Sequence, residues 1–458
     1  MALLTVIVIL FMMTTSSASL IWMMNQQQAR AGGRLRSAAA LAVAEAGVHR
    51  AVSILESVSP DRPPSGRAWR PAQYTEAVLI GSMEGRVTIS VVDDPDGAVV
   101  ITSAGYVAGA SRKLRARVYL TSPVLLAALH GASVVRLGQP PAATFILPYG
   151  AGLGDRPWIH IAAGQEIWFP TTDVFINDPS AAFETAPGPM DPPDGAGGPA
   201  ARPRPGPVRL LLSRDGVLTL NRNHQKVDLH QLRTLGVYVD GVVLRSDALP
   251  PFPEVDRDIY GRRAAENTAN MAVNEAAGRY LGDRDLERKR DSLYTAREFA
   301  VLQTYLRTGR QPPLLRGTLY IKGGLTLEDQ RLQITDGALI VEDTVQLTDG
   351  AMLEVTHSGA TRTHPGIIVL DKGALIVTQR ARLRVHGLVY ASRVFDVSDG
   401  AFVDIVGAVV GNDPGVSFRS HAATVVIRYD PAVLGTPGLR LRDTDPAVAW
   451  VAAWEEVP

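Results

Sequence analysis

No cysteine occurs anywhere in the 458 residues. That excludes disulfide frameworks, thiolate metal sites and cysteine nucleophiles together, and it suits an envelope protein that folds without oxidation. Aromatic residues are scarce, at 6%, so the core must be built largely of small aliphatic side chains. A charge of one sign is also lacking: 46 Lys and Arg balance 46 Asp and Glu, and a chain with no basic excess is a poor candidate for nucleic acid. The nine histidines include no HExxH pair, and neither GxSxG nor a phosphate-loop glycine pattern is found. The expectation is a protein that is not an enzyme and holds no cofactor and no metal. Gly at 42 and Pro at 31, by contrast, predict many turns.

What stands out among the residues present is Ala2 to Met24, a run with no charge. As a helix it would reach about 35 Å, enough to cross the hydrocarbon of a bilayer, where every backbone group must be paired within the segment. Leu3 to Met13 followed by Ser16-Ser17-Ala18 could serve as a cleaved secretory signal, but no basic leader precedes it, and a lipid anchor over 2–24 is the preferred reading. Arg30, Arg34 and Arg36 follow the span, so the positive-inside rule taken literally leaves the body in the cytoplasm. A short basic leader upstream of Met1 would reverse that.

Residues 25–58 continue the helix. Leu41, Ala44, Val48, Val52 and Leu55 recur at helical spacing as one apolar face, and Ser59-Pro60-Asp61-Arg62-Pro63-Pro64 stops it. Gly32-Gly33 is expected to loosen the rod. Over 74–120 the period changes to that of a small antiparallel sheet: Arg86–Val92 and Ala98–Thr102 flank the turn Asp93–Gly97, and Leu114–Leu120 adds a strand. The acids of that turn lack the spacing of a calcium loop.

The start MALLTVIVIL, the helix segment Ala44-Glu45-Ala46-Gly47-Val48 and the strand Ile101-Thr102-Ser103-Ala104-Gly105-Tyr106-Val107 resemble the amino-terminal region of PilX-type, pilin-like pilus assembly proteins. The resemblance covers about the first 120 residues. It implies a single-pass anchor in the inner (cytoplasmic) membrane, a body in the periplasm or outside the cell, a helix able to pack in a filament, and partners among other pilin-like subunits or pilus assembly proteins. Thr5 stands where a major pilin would carry glutamate if Met1 is the first mature residue.

Residues 123–250 read as β-rich, with short apolar pieces at Ser133–Val135, Thr144–Leu147 and Trp158–Ile161, a Pro/Gly loop at 186–207, and strands at Val208–Leu212, Val217–Leu220 and Gly236–Leu244. A helical insertion is expected over 255–308, with Asp283 capping a second helix that runs to Arg307. Its run DRDLERKRD balances four basic against four acidic residues and reads as a solvated face.

From 316 to 440 short strands alternate with recurring corners: Thr335-Asp336-Gly337-Ala338, Thr348-Asp349-Gly350-Ala351, Asp371-Lys372-Gly373-Ala374 and Ser398-Asp399-Gly400-Ala401. The strands lie at Thr318–Ile321, Leu339–Val341, Met352–Val355, Ile367–Leu370, Leu375–Val377, Leu383–Val385 and Phe402–Val406. In each corner glycine is expected to supply the left-handed conformation and Asp to bond the local backbone. The pattern fits a parallel β-helix (β-solenoid), with an antiparallel sandwich as the alternative. Residues 441–458 read as a tail.

The fold class is therefore α+β: a long transmembrane, pilin-like helix with a small antiparallel sheet, then a mainly β domain with a helical insertion. Because β-helices often act on polysaccharides through paired carboxylates, Asp336, Asp349, Asp371, Asp396, Asp399 and Asp404 are the residues an enzyme would draw on, although four of them sit in glycine corners. Arg382, Arg384 and His386 alternate along one strand and could touch an anionic glycan or other surface ligand. The expected function is structural, a membrane-anchored minor pilin or filament assembly factor. The alternatives are a tethered polysaccharide enzyme and a self-assembling β-helical scaffold.

Overall fold

The structure is a computed structural model that describes residues 2–57, 69–81, 83–94, 98–138, 143–148, 159–169, 174–176, 208–220, 225–226, 239–246, 249, 252–310, 313–357, 366–430, 433, 436, 438–440 and 447–457. The helix breaker 59–64, the core of the acidic turn at 95–97 and the Pro/Gly loop 186–207 lie outside them. The chain forms two compact units, one of residues 1–120 with 449–458, the other of 121–448.

In the first unit one helix, α1, runs unbroken from Ala2 to Glu56. Gly32-Gly33 does not interrupt it, because the i to i−4 ladder continues through both residues. The helix changes character along its length. Met12, Trp22 and Leu35 are 63%, 66% and 62% exposed, whereas Ala40, Val43, Ala44, Val48, Ala51 and Leu55 are fully buried. That buried face packs on Val87, Ile89, Val91, Val99, Ile101, Val107, Leu114, Ala116 and Val118 of the sheet. Leu41 and Val52, expected on the packed face, lie at its partly buried margin, since the smallest residues allow the closest approach. A Cβ on Gly105 would sit 2.1 Å from the Ala40 carbonyl oxygen, and one on Gly47 would sit 2.2 Å from Ser103 Oγ. Ala44, Gly47 and Val48 on the helix and Ile101, Ser103, Gly105 and Val107 on the sheet, from two of the three segments quoted for the pilin resemblance, thus set the helix against the sheet.

The sheet is ordered Tyr74–Ile80, Met83–Asp93, Val99–Val107, Ala110–Thr121 and Val448–Val457. The first four strands pair antiparallel in chain order. The fifth corrects the expectation of a tail over 441–458: alternating apolar residues let 448–457 close the sheet edge, with Ala449 N donating to Glu56 Oε1 at 2.7 Å.

The second unit is built of parallel ladders, so an antiparallel sandwich is not what forms. A 16-stranded sheet branches at two ten-residue strands, Arg382–Ala391 and Phe402–Gly411, whose first and second halves belong to different ladders. A nine-stranded sheet supplies another ladder. Successive strands visit the three in turn: Leu339–Val341 joins the first, Val345–Thr348 the second and Met352–Thr356 the third, and Ile367–Val369 returns to the first. Inward side chains stack in register, as in Leu325, Val345, Leu375, Phe395 and Phe418, all buried. Each such side chain contributes roughly 1.5–3 kcal/mol by its burial.

The order of strands departs from the order of the chain. Residues 123–250 and 316–440, separate in sequence, share the same ladders. The last strands pair with the first: Val409 with Leu129, Val416 with Val134 and Thr424 with Ala143. The segment after Val239–Ser246 then travels back along the stack. Leu249 approaches Gly164, Phe252 packs edge-on to His130 at 4.9 Å, Glu254–Val255 pairs with Leu439–Arg440, and Arg257 pairs with Asp371.

Helices Arg257–Glu266, Met271–Leu281, Arg284–Arg288 and Ala296–Arg307 follow. Asp283 caps only the five-residue Arg284–Arg288, accepting from Leu286 N at 2.9 Å. The strand Leu293–Thr295 intervenes, and Thr295 with Glu298 forms the capping box of the last helix.

Candidate functional site

The corner aspartates are held by backbone geometry. Asp336, Asp349, Asp371 and Asp399 adopt φ of 55°, 53°, 48° and 53°, so the left-handed residue is the aspartate itself, joined in two corners by Gly350 and Gly400. This corrects the assignment of that role to glycine alone. Asp tolerates the conformation because its short side chain bonds locally. Gly337 and Gly373 serve a different need: a Cβ on Gly337 would lie 2.0 Å from the Gly317 carbonyl, and one on Gly373 2.6 Å from the Asp343 carbonyl carbon. The corners also stack, Gly350 N donating to Gln379 O at 2.9 Å and Arg380 N to Asp399 O at 3.0 Å. Gln379 and Ala422 hold the same conformation without the Asp-Gly signature.

Asp404 lies on the outer face of the third ladder in a line of alternating charge. In register stand Gln333, Glu354, Arg384 and Asp404. Arg428 bonds Asp404 Oδ1, and Arg384 lies between Asp404 at 3.7 Å and Glu354 at 3.9 Å. Burial alone would raise the Glu354 carboxyl, but hydrogen bonds from Gln333 and Arg331 outweigh it and hold the group below its ordinary range. Arg382 and Arg384 do share the exposed face expected of them, with His386 half-buried beside them. Arg384 is already committed to two carboxylates. The two acids are therefore separated along this face by an arginine that pairs with both.

Asp396 is the other acid outside the corners, and it lies on the outer face of the second ladder. Arg419, in register on the next strand, binds it through two nitrogens, Nε at 3.0 Å from Oδ1. That pairing raises the guanidinium pKa further. Beyond Arg419 the same line continues through Arg136 to Trp168, the Arg136 guanidinium lying 4.2 Å from the ring centroid. A cavity of about 480 Å³ opens over these residues and reaches Ser398, Asp399 and His421. Of its members, sequence reasoning singled out Asp396 and Asp399. Arg136 and Trp168 come from a distant segment, and no local pattern could have joined them to Asp396. Among the described residues no group of three or more His, Asp or Glu is arranged to hold a metal ion.

No known protein family matches this chain, and no curated protein does. Among solved structures, the crystal structure of the competence-associated pilin ComZ from Thermus thermophilus aligns over 92% of this chain and 97% of that chain, at 14% sequence identity and a TM-score of 0.20. An overlap at that score assigns neither fold nor role to this chain.

Proposed function

We propose that the chain is a membrane-anchored, pilin-like structural protein, a PilX-like minor pilin or filament assembly factor that displays a parallel β-helical domain outside the cytoplasm. The observation that carries this reading is the division of α1. Its second half packs against its own sheet, while the first half carries the uncharged run Ala2 to Met24 and keeps Met12, Leu20, Ile21 and Trp22 exposed. Apolar surface of that extent is stable only in lipid or against other subunits. The three parallel ladders, visited in rotation, support the β-helix reading of the displayed domain. The domain is read as non-catalytic, because Asp396 and Asp404 are each tied to arginine.

Membrane extraction tests the anchor. Full-length protein should stay with the membrane through an alkaline wash, and a variant lacking Ala2 to Met24 should be released; full-length protein in the soluble fraction would end the proposal. Sidedness can be read without background, since the chain has no cysteine. A Ser111→Cys variant, exposed on the first sheet, should react with an impermeant maleimide added outside the inner membrane.

A further inference from the structure

Arg136 and Arg419 stand in register on neighbouring strands of the second ladder. Like charges directly opposite on adjoining strands repel. Arg419 has its counter-charge in Asp396. Arg136 has no carboxylate among the described residues: its guanidinium plane rests on Trp168, and its Nε is buried with no acceptor. In a chain whose acids and bases balance, one arginine has been fixed in place beside another and left with unused donors. A planar guanidinium suits a carboxylate because its fork donates to both oxygens at once.

The cavity over this pair crosses four strands, from Asp396 to Trp168, a span of about 14 Å. Its floor is rigid, since Phe395 and Phe418 stack edge-to-face directly beneath at 5.6 Å and are fully buried. At the end away from Trp168, Asp399 and His421 offer a polar wall. Each of the four strands is already paired on both sides, so an incoming peptide backbone would find no ladder to join. A ligand rich in hydroxyls and carrying a carboxylate suits the groove instead.

We infer that the groove binds an acidic saccharide, with its carboxylate on Arg136 and its hydroxyls toward Asp399 and His421. The inference deepens the reading of the domain as a displayed body, and it stands or falls without the anchor. The test is calorimetric titration of the full-length protein in detergent with trigalacturonate, maltotriose, triglutamate and inorganic phosphate. Trigalacturonate should bind and maltotriose should not. Arg136→Gln should weaken the binding at least about tenfold, and about 0.5 M salt should weaken it in the parent protein. Arg382→Gln, on a different face, should bind as the parent does. Arg136→Gln should unfold at the same temperature or higher, because a repulsion has been removed. Absence of trigalacturonate binding, equal binding by Arg136→Gln, or equal affinity for triglutamate or phosphate would overturn the assignment. A marked loss of thermal stability in Arg136→Gln would also overturn it, by making that residue structural.

Discussion

Asp404 and Arg428 meet on the outer face of the third ladder, with the aspartate residue only 5% exposed and bonded to the Arg428 guanidinium. The pairing decides how this carboxylate behaves. A buried ion that loses its partner keeps its desolvation cost and loses the attraction that offset it.

Asp404→Ala should therefore destabilise the second unit by about 2–4 kcal/mol, the lower end reflecting the partial exposure of both arginines. Replacing both members, as Asp404→Leu with Arg428→Met, should cost clearly less than the single change. Chemical denaturation of the three variants measures it. An enzymatic role would instead show as loss of glycan turnover with stability unchanged.

The corner glycines can be ranked. Gly350→Ala meets open space but must hold φ of 78°, and should cost about 1–2 kcal/mol. Gly337→Ala would push a methyl into the Gly317 carbonyl, which cannot rotate away, and should cost about 3 kcal/mol or more. Equal thermal shifts for the two would show that the stacked corners separate more easily than their backbone contacts imply.

His130 gives the second unit an acid sensitivity. Burial lowers its pKa from the ordinary 6.5 to about 3. The unfolded chain takes up the proton near 6.5 and the folded chain does not, so this stability is fully present above 6.5 and is lost as pH falls toward about 3. The loss is roughly 1 kcal/mol per pH unit. Between pH 6.5 and 5 the depressed carboxyls of Glu298 and Glu354 do not yet contribute. Unfolding measured over that window should be less pH-dependent in His130→Leu than in the parent.

The strand Val448–Val457 should matter to the first unit far more than its ion pairs do. Arg112 with Glu456 and Arg115 with Glu455 are about half exposed, so Arg112→Ala should cost less than about 1 kcal/mol. Removing 448–458 strips the edge and should make the sheet a protease substrate. Limited proteolysis distinguishes the two.

The long helix was legible because it is written locally: an uncharged run, then apolar residues at helical spacing. The corners were legible for the same reason, although the left-handed residue turned out to be the aspartate, and Gln379 and Ala422 take the same conformation with no marker. In the second ladder Ser133–Val135, Val217–Leu220 and Leu375–Val377 were legible as β pieces, but Leu325–Glu328, Val345–Thr348 and Phe395–Ser398 were not, because they are short and carry outward polar residues that hide their period. The order of the stack was not legible at all. Pairing Val416 with Val134 is a contact between distant segments, and parallel strands need no turn between them that a sequence could display. The Arg136–Trp168 groove inherits that opacity.

Thr121 and Val448 leave neighbouring strands of the first sheet, and the pairs Arg112–Glu456 and Arg115–Glu455 advance in opposite directions, so the two exits lie at one end. Everything between them is a guest inserted in a host. If the guest unfolds, the same strands must clamp a loop of more than 300 residues, a penalty on the order of 5 kcal/mol. Damage to a corner or an ion pair that unfolds the guest is thereby felt as a weakened grip in the sheet that packs against α1.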